Sequence, residues 1–234
     1  MPITSEGSLR CRMDEYKYPM WSDEYKESAD ITHRISCQLR TASKRIKAMT
    51  IDQATILFSN IIHAVNYWTG STYVGSKKKP ELEKAYQTFF KALYDFILSF
   101  RTMDKPIFHE CADMILYQGT VYRYLGHHSC DDNTDKIEPN YNDIYVSWSK
   151  EPENSYIESK LYGTMTWMSA KICEPYYGID LEGLEEAIYR LVGIECRLTK
   201  GDEHEVVFPT IKECITEIRY IEPEYEEDEE DDQT

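Results

Sequence analysis

Apolar residues recur every three or four positions through the first half of the chain, the spacing that gathers them on one side of an α-helix. Asp30 to Thr41 carries Ile31, Ile35 and Leu39 in this way. Asp52 to Trp68 repeats the pattern with Ile56, Leu57, Ile61, Ile62, Val65 and Trp68, and stops at Gly70. A Gly-Ser-Thr-Tyr-Val-Gly-Ser loop follows. Pro80, with a fixed backbone angle suited to a helix start, precedes Glu81 to Phe100, where Tyr86, Phe89, Leu93, Phe96 and Ile97 form one stripe. A fourth, shorter helix is expected from Pro106 to Tyr117, ending at Gly119.

The second half changes period. Short runs rich in Val, Ile, Tyr and Trp alternate with polar turns, the pattern of strands. The predicted strands are Thr120 to Leu125, Asp143 to Ser149, Lys160 to Lys171, Ile194 to Leu198, Glu205 to Phe208 and Ile211 to Tyr220. One helix interrupts them, Leu181 to Val192, with Leu181, Leu184, Ile188 and Leu191 on one face. Helices first and strands second predict an α+β architecture. The expected organisation is a helical part over 1–108, a mixed core over 109–221 and an acidic tail over 222–234.

Charge narrows the function. A net charge of −16 argues against nucleic-acid binding, whose affinity comes largely from clustered Lys and Arg. The basic groups at Arg40 to Lys47 and at Lys77-Lys78-Lys79 are short, and read as solvated charges. From Glu222 to Asp232 nearly every residue is a carboxylate; such a run repels itself, buries nothing and reads as a disordered tail. The seven cysteines are scattered with no C-x-x-C pair, as expected of reduced thiols in a cytosol. The first residues are polar and no apolar run reaches membrane-spanning length, so a cytoplasmic protein with no membrane partner is expected, in the producing cell or in a host.

Among pieces with chemistry in them, His127-His128-Ser129-Cys130-Asp131-Asp132 suggests a metal site, but adjacent strand side chains point to opposite faces and no second His/Cys cluster completes four ligands. It is read as a polar loop, and no metal is expected. No cysteine sits in a nucleophile context, and no Gly-x-Gly-x-x-Gly or phosphate-binding loop is present.

Three other pieces matter together: Val121-Tyr122-Arg123 in a predicted strand, Tyr145-Val146-Ser147-Trp148-Ser149 at the end of another, and Glu203-His204-Glu205-Val206-Val207-Phe208-Pro209 leading into a third. Glu-x-Glu is common in so acidic a chain, but only the copy at Glu203 and Glu205 enters an apolar strand that would fix its carboxylates.

In that order and context the pieces resemble the Arg, Ser-x-Ser and Glu-x-Glu signature of the arginine-type mono-ADP-ribosyltransferases, a family that includes bacterial toxins and phage enzymes. The resemblance covers roughly residues 115–220. Tyr124 stands where the family often has glycine after the arginine, and Trp148 where a small residue is common between the serines.

The resemblance implies two antiparallel sheets packed on each other behind a helical layer, with NAD as co-substrate in the cleft. Glu205 would stabilise the cation formed when the nicotinamide–ribose bond breaks and would accept a ribose hydroxyl. Arg123 would hold the diphosphate, while Ser147 and Ser149 would tie the strand edge to the cofactor. Tyr122 and Trp148 belong to the same cofactor-lining set, and Glu203 would orient or deprotonate the acceptor, expected to be an arginine of a protein. The loop Thr199 to Asp202 would face that acceptor. Two other functions stay open on sequence grounds: an NAD glycohydrolase using the same residues with water, and an inactive helical protein whose acidic tail occupies a partner's basic surface.

Overall fold

The computed structural model of the protein describes residues 23–71, 80–126, 145–152, 165–199 and 204–221. The architecture is α+β, as the change of period predicts. Four helices come first: α1 (Asp23–Arg45), α2 (Ile51–Ser71), α3 (Pro80–Phe100) and α4 (Pro106–Ile115). The strands β1 (Leu116–Tyr117), β2 (Gly119–Gly126), β3 (Tyr145–Ser149), β4 (Met165–Ile172) and β5 (Gly178–Asp180) follow. Helix α5 (Leu181–Val192) precedes β6 (Glu205–Pro209) and β7 (Ile215–Ile221).

Local chemistry explains the boundaries. Thr50 and Gln53 form a reciprocal capping box before α2: the Gln53 amide donates to Thr50 Oγ1 at 3.3 Å and the Thr50 amide to Gln53 Oε1 at 3.1 Å. Asp180 caps α5 by accepting the Glu182 and Gly183 amides at 3.1 and 3.3 Å on Oδ1. Gly193, at φ 72°, ends the same helix in the left-handed conformation glycine adopts without strain. The apolar stripe of α3 is the centre of the helical core: Tyr86, Phe89, Leu93, Phe96 and Ile97 are all buried.

The seven described strands form one curled antiparallel sheet in the order β1-β5-β6-β3-β2-β4-β7. The two packed sheets expected from the resemblance are not seen among the described residues. Both faces of this sheet carry core. Ile179 and Val207 join the large helical core, whereas Val121, Trp148, Met168, Ala170, Ile172, Val206, Phe208 and Cys214 form a second cluster on the opposite face. Successive strand residues point to opposite sides, so Val206, Val207 and Phe208 alternate between the two cores.

Three local expectations are corrected. Ile194 to Leu198 alternates like a strand, yet it forms no ladder. Glu185 of α5 captures its backbone instead, accepting from the Leu198 amide and, at 3.1 Å, from the Thr199 amide. A carboxylate thus satisfies donors that a neighbouring strand would otherwise take. The helix from Pro106 stops at Ile115 because Leu116 and Tyr117 pair with Ile179 and Gly178. The last strand begins at Ile215, after a short 3-10 turn at Lys212–Cys214, not at Ile211.

The basic residues Arg40, Lys44, Arg45 and Lys47 are exposed, and Lys47 lies 3.6 Å from Asp104 at the surface. Lys77 to Lys79, the His127 to Asp132 segment, Glu203 and the acidic run from Glu222 lie outside the described residues. Among the described residues no helix is long and apolar enough to cross a membrane, and no group of acidic, His and Cys side chains could hold a metal. Cys37, Cys111, Cys173, Cys196 and Cys214 are free thiols. Burial pushes the Cys111 and Cys196 thiols up to about 11, which keeps them protonated and unreactive at neutral pH.

Candidate active site

Arg123, the serine pair and Glu205, far apart in the chain, fall on three neighbouring strands. Tyr122 of β2 stands opposite Ser149 of β3, and Ser149 stands opposite Glu205 of β6. Residues directly opposite each other in an antiparallel ladder share a face. Tyr122, Ser149 and Glu205 therefore line one side of the sheet in a row, with Ser147 beside them. Glu205 is 4 % exposed.

Arg123 starts from the other face, beside Met168 of β4 in the register. Among the described residues β2 and β3 share a single residue pair, so their backbones separate beyond it. The guanidinium fills that opening: its Nη1 donates to the Ser147 carbonyl at 2.6 Å. A side-chain cation thus replaces a ladder hydrogen bond and pins β3 to β2. Burial pushes the Arg123 guanidinium down to about 10, while the charge of Glu205 pulls the other way. It remains a cation at neutral pH.

Trp148 points into the second core and not toward the face that Tyr122, Ser149 and Glu205 line. It is 1 % exposed and its Nε1 donates to the Phe208 carbonyl at 3.1 Å. Tyr122 and Tyr124 instead flank Trp167 of β4, at ring separations of 5.8 and 6.4 Å. The bulky residue in Ser-Trp-Ser is accommodated because it packs in the second core with Val206 and Phe208 of β6 and the apolar residues of β2 and β4.

Sequence reasoning missed a charged network at the same end of the strands. Lys150, the residue after Ser149, places its Nζ 2.9 Å from Asp180 Oδ2 and 2.7 Å from Glu182 Oε2. His204 Nδ1 lies 2.7 Å from Glu182 Oε1, and its Nε2 lies 3.5 Å from Glu151 Oε1. Burial disfavours the Lys150 ammonium, but its bonds to Glu182 and Asp180 outweigh that and raise its pKa. Burial also opposes ionisation of Glu182, and Lys150 and His204 together reverse the sign and hold its carboxyl below the usual range. An ionised carboxylate only accepts, so the His204 Nδ1 carries the proton of that bond.

The same network fixes the backbone that enters β6. The Lys150 amide donates to the His204 carbonyl at 3.1 Å. His204 has φ 43°, a left-handed conformation uncommon outside glycine, which costs about 1 kcal/mol or more. Its ring contacts with Glu182 and Glu151 hold that conformation one residue before Glu205. Two signals for this network were present in the sequence: Asp180 is an N-cap immediately before an apolar period, and Lys150 directly follows the Ser-x-Ser piece.

Among the described residues, Gln87 and Phe90 of α3 join the helical half to the start of β3. Gln87 of α3 takes both backbone groups of Tyr145: its Oε1 accepts the Tyr145 amide at 2.5 Å, and its Nε2 donates to the Tyr145 carbonyl at 3.2 Å. Phe90 stacks on the Tyr145 ring at 5.9 Å. The helices thus set the start of the strand that carries Ser147 and Ser149. No family model matches this chain, and no curated protein and no solved structure matches it either.

Proposed function

We propose that the protein is a mono-ADP-ribosyltransferase that uses NAD and modifies a protein side chain. The observation that carries this reading is the convergence of Arg123, Ser147, Ser149 and Glu205 on three adjacent strands, with Ser149 opposite Glu205. Cleavage breaks the bond between the ribose anomeric carbon and the nicotinamide nitrogen. Nicotinamide leaves with the electron pair, and positive charge develops on the sugar, as in glycoside hydrolysis. A buried carboxylate fixed by a sheet stabilises that charge without reorganising, and Glu205 meets this description.

The remaining roles follow from position. Ser149 and Ser147 hold the sugar side of the cofactor along β3, and Tyr122, on the same face, supplies a ring against the nicotinamide or ribose. Arg123 pins β3 to β2 through the Ser147 carbonyl. A guanidinium has five N–H donors and that bond uses one, so the same side chain serves the diphosphate with the others. Trp148 is part of the support and not of the cofactor contact. Glu203 receives the proton that the acceptor nitrogen loses on bonding to the anomeric carbon, and an arginine of a protein is the acceptor expected.

The test uses purified protein, labelled NAD and a cell lysate, beside Glu205→Gln. Label on a protein with the wild type, and none with the variant, supports transfer; mass spectrometry then identifies the modified residue. Nicotinamide release without label, even with added arginine peptides, assigns an NAD glycohydrolase. Neither signal from the wild type overturns the enzymatic reading and leaves the interaction protein.

A further inference from the structure

Strand β7 lies at one end of the strand order: β4 pairs along one side of it, and no described strand lies along the other. An edge strand offers backbone donors and acceptors to any second strand of suitable shape. The middle of β7 reads Glu217-Ile218-Arg219, opposite charges on either side of an apolar centre. Glu217 and Arg219 are exposed, and Ile218 is half-buried against the second core.

That triplet is complementary to itself. A two-fold axis through Ile218 runs two copies antiparallel. It sets Glu217 opposite the partner's Arg219, Arg219 opposite the partner's Glu217, and Ile218 opposite the partner's Ile218. Residues directly opposite lie close enough for their side chains to interact, and opposite charges there are favourable. A two-fold contact uses one patch on both copies, so each favourable pair occurs twice.

We propose that β7 pairs antiparallel with β7 of a second copy of this chain, centred on Ile218, joining two seven-stranded sheets into one. The charged side chains are already held for this. Arg219 lies over the Trp167 ring at 4.8 Å to the centroid and its Nε contacts Glu217 Oε1 at 2.5 Å, a pair that does not use the N–H donors on the two terminal nitrogens of the guanidinium. The irregularity of the β4–β7 ladder, between Ser169 and Ala170, falls at Thr216, outside the triplet.

Charge also selects the direction. Parallel pairing would bring the acidic runs from Glu222 to Asp232 side by side. Antiparallel pairing separates their starting points by on the order of 25 Å at the usual strand rise, beyond the Debye length of about 8 Å at physiological salt.

Sedimentation velocity on the full chain tests the pairing with Glu217→Arg, Arg219→Glu and an equimolar mixture of the two. Each variant alone sets like charges opposite each other and should weaken self-association roughly thirtyfold, whereas the mixture restores opposite charges and should associate as the wild type does. Both positions are exposed, and far-UV circular dichroism identifies a variant that has lost its fold. The wild-type dimer should also weaken as salt is raised from 50 to 500 mM. A wild type that stays monomeric at about 100 μM, a dimer indifferent to either substitution or to salt, or a mixture that fails to associate would each overturn the proposal.

Discussion

Ser149 and Glu205 are direct partners across the β3–β6 ladder, and the residue on the other side of Ser149 is Tyr122 of β2. One serine thus links two strands that arrive from distant parts of the chain. The backbone of Glu205 is held by the sheet itself, and its side chain starts from a position set by the register of three strands.

Arg123 is the rivet between two of those strands. Arg123→Met removes the donor that satisfies the Ser147 carbonyl, and should destabilise the fold by about 2 kcal/mol. Arg123→Lys retains a charge but lacks the planar fork, and should recover only part of that loss. Urea denaturation of the three proteins checks the order.

Lys150→Met leaves Asp180 and Glu182 without their shared cation, and should cost about 1 kcal/mol after discounting for solvent at the part-exposed Glu182. Its pH dependence has a definite sign. Glu182 is lowered below its ordinary 4.5, so its contribution is present above that pH and is lost as pH falls through the lowered value. Lys150 is raised above its ordinary 10.5, so its contribution is present below that pH and is lost as pH rises through the raised value. The gap between wild type and variant in thermal midpoint should therefore be widest between these limits and close in acid. A gap that does not narrow as the pH falls into the acid range would contradict this sign.

Gly183 sits where α5 crosses α4. A Cβ there would lie 2.0 Å from the Met114 carbonyl oxygen and 2.7 Å from its carbon, both backbone atoms. Gly183→Ala should gain about 1 kcal/mol in helix propensity and still be destabilising by about 2 kcal/mol, because two helices must move apart. Calorimetry reads the net sign.

Glu185 holds the segment after α5 by accepting the Leu198 and Thr199 amides. In Glu185→Ala those two amides should exchange with deuterium at least tenfold faster, while amides of α5 away from the substitution change little. Uniform acceleration across the domain would show instead that Glu185 supports the global fold.

The helical half was legible because its apolar period is long and regular: the α3 stripe alone fixes which face is buried. The candidate site residues were legible as types in order, and their adjacency is a matter of tertiary register. Nothing in the sequence sets Ser149 opposite Glu205, since the described residues between them include two strands and a helix. The segment 194–198 shows the opposite failure. Its alternation is strand-like, but a side chain from another element took its backbone donors. Trp148 and Arg123 were ambiguous for a related reason: alternation predicts which side of a strand a residue starts from, not which atoms its tip will reach.

The most direct measurement is the rate of nicotinamide release from NAD by the wild type, Glu205→Gln and Ser149→Ala, each shown by circular dichroism to keep its fold. The role proposed for Glu205 requires release by the wild type, a loss of at least a hundredfold for Glu205→Gln, and a smaller loss for Ser149→Ala. Equal release by the wild type and Glu205→Gln would contradict it.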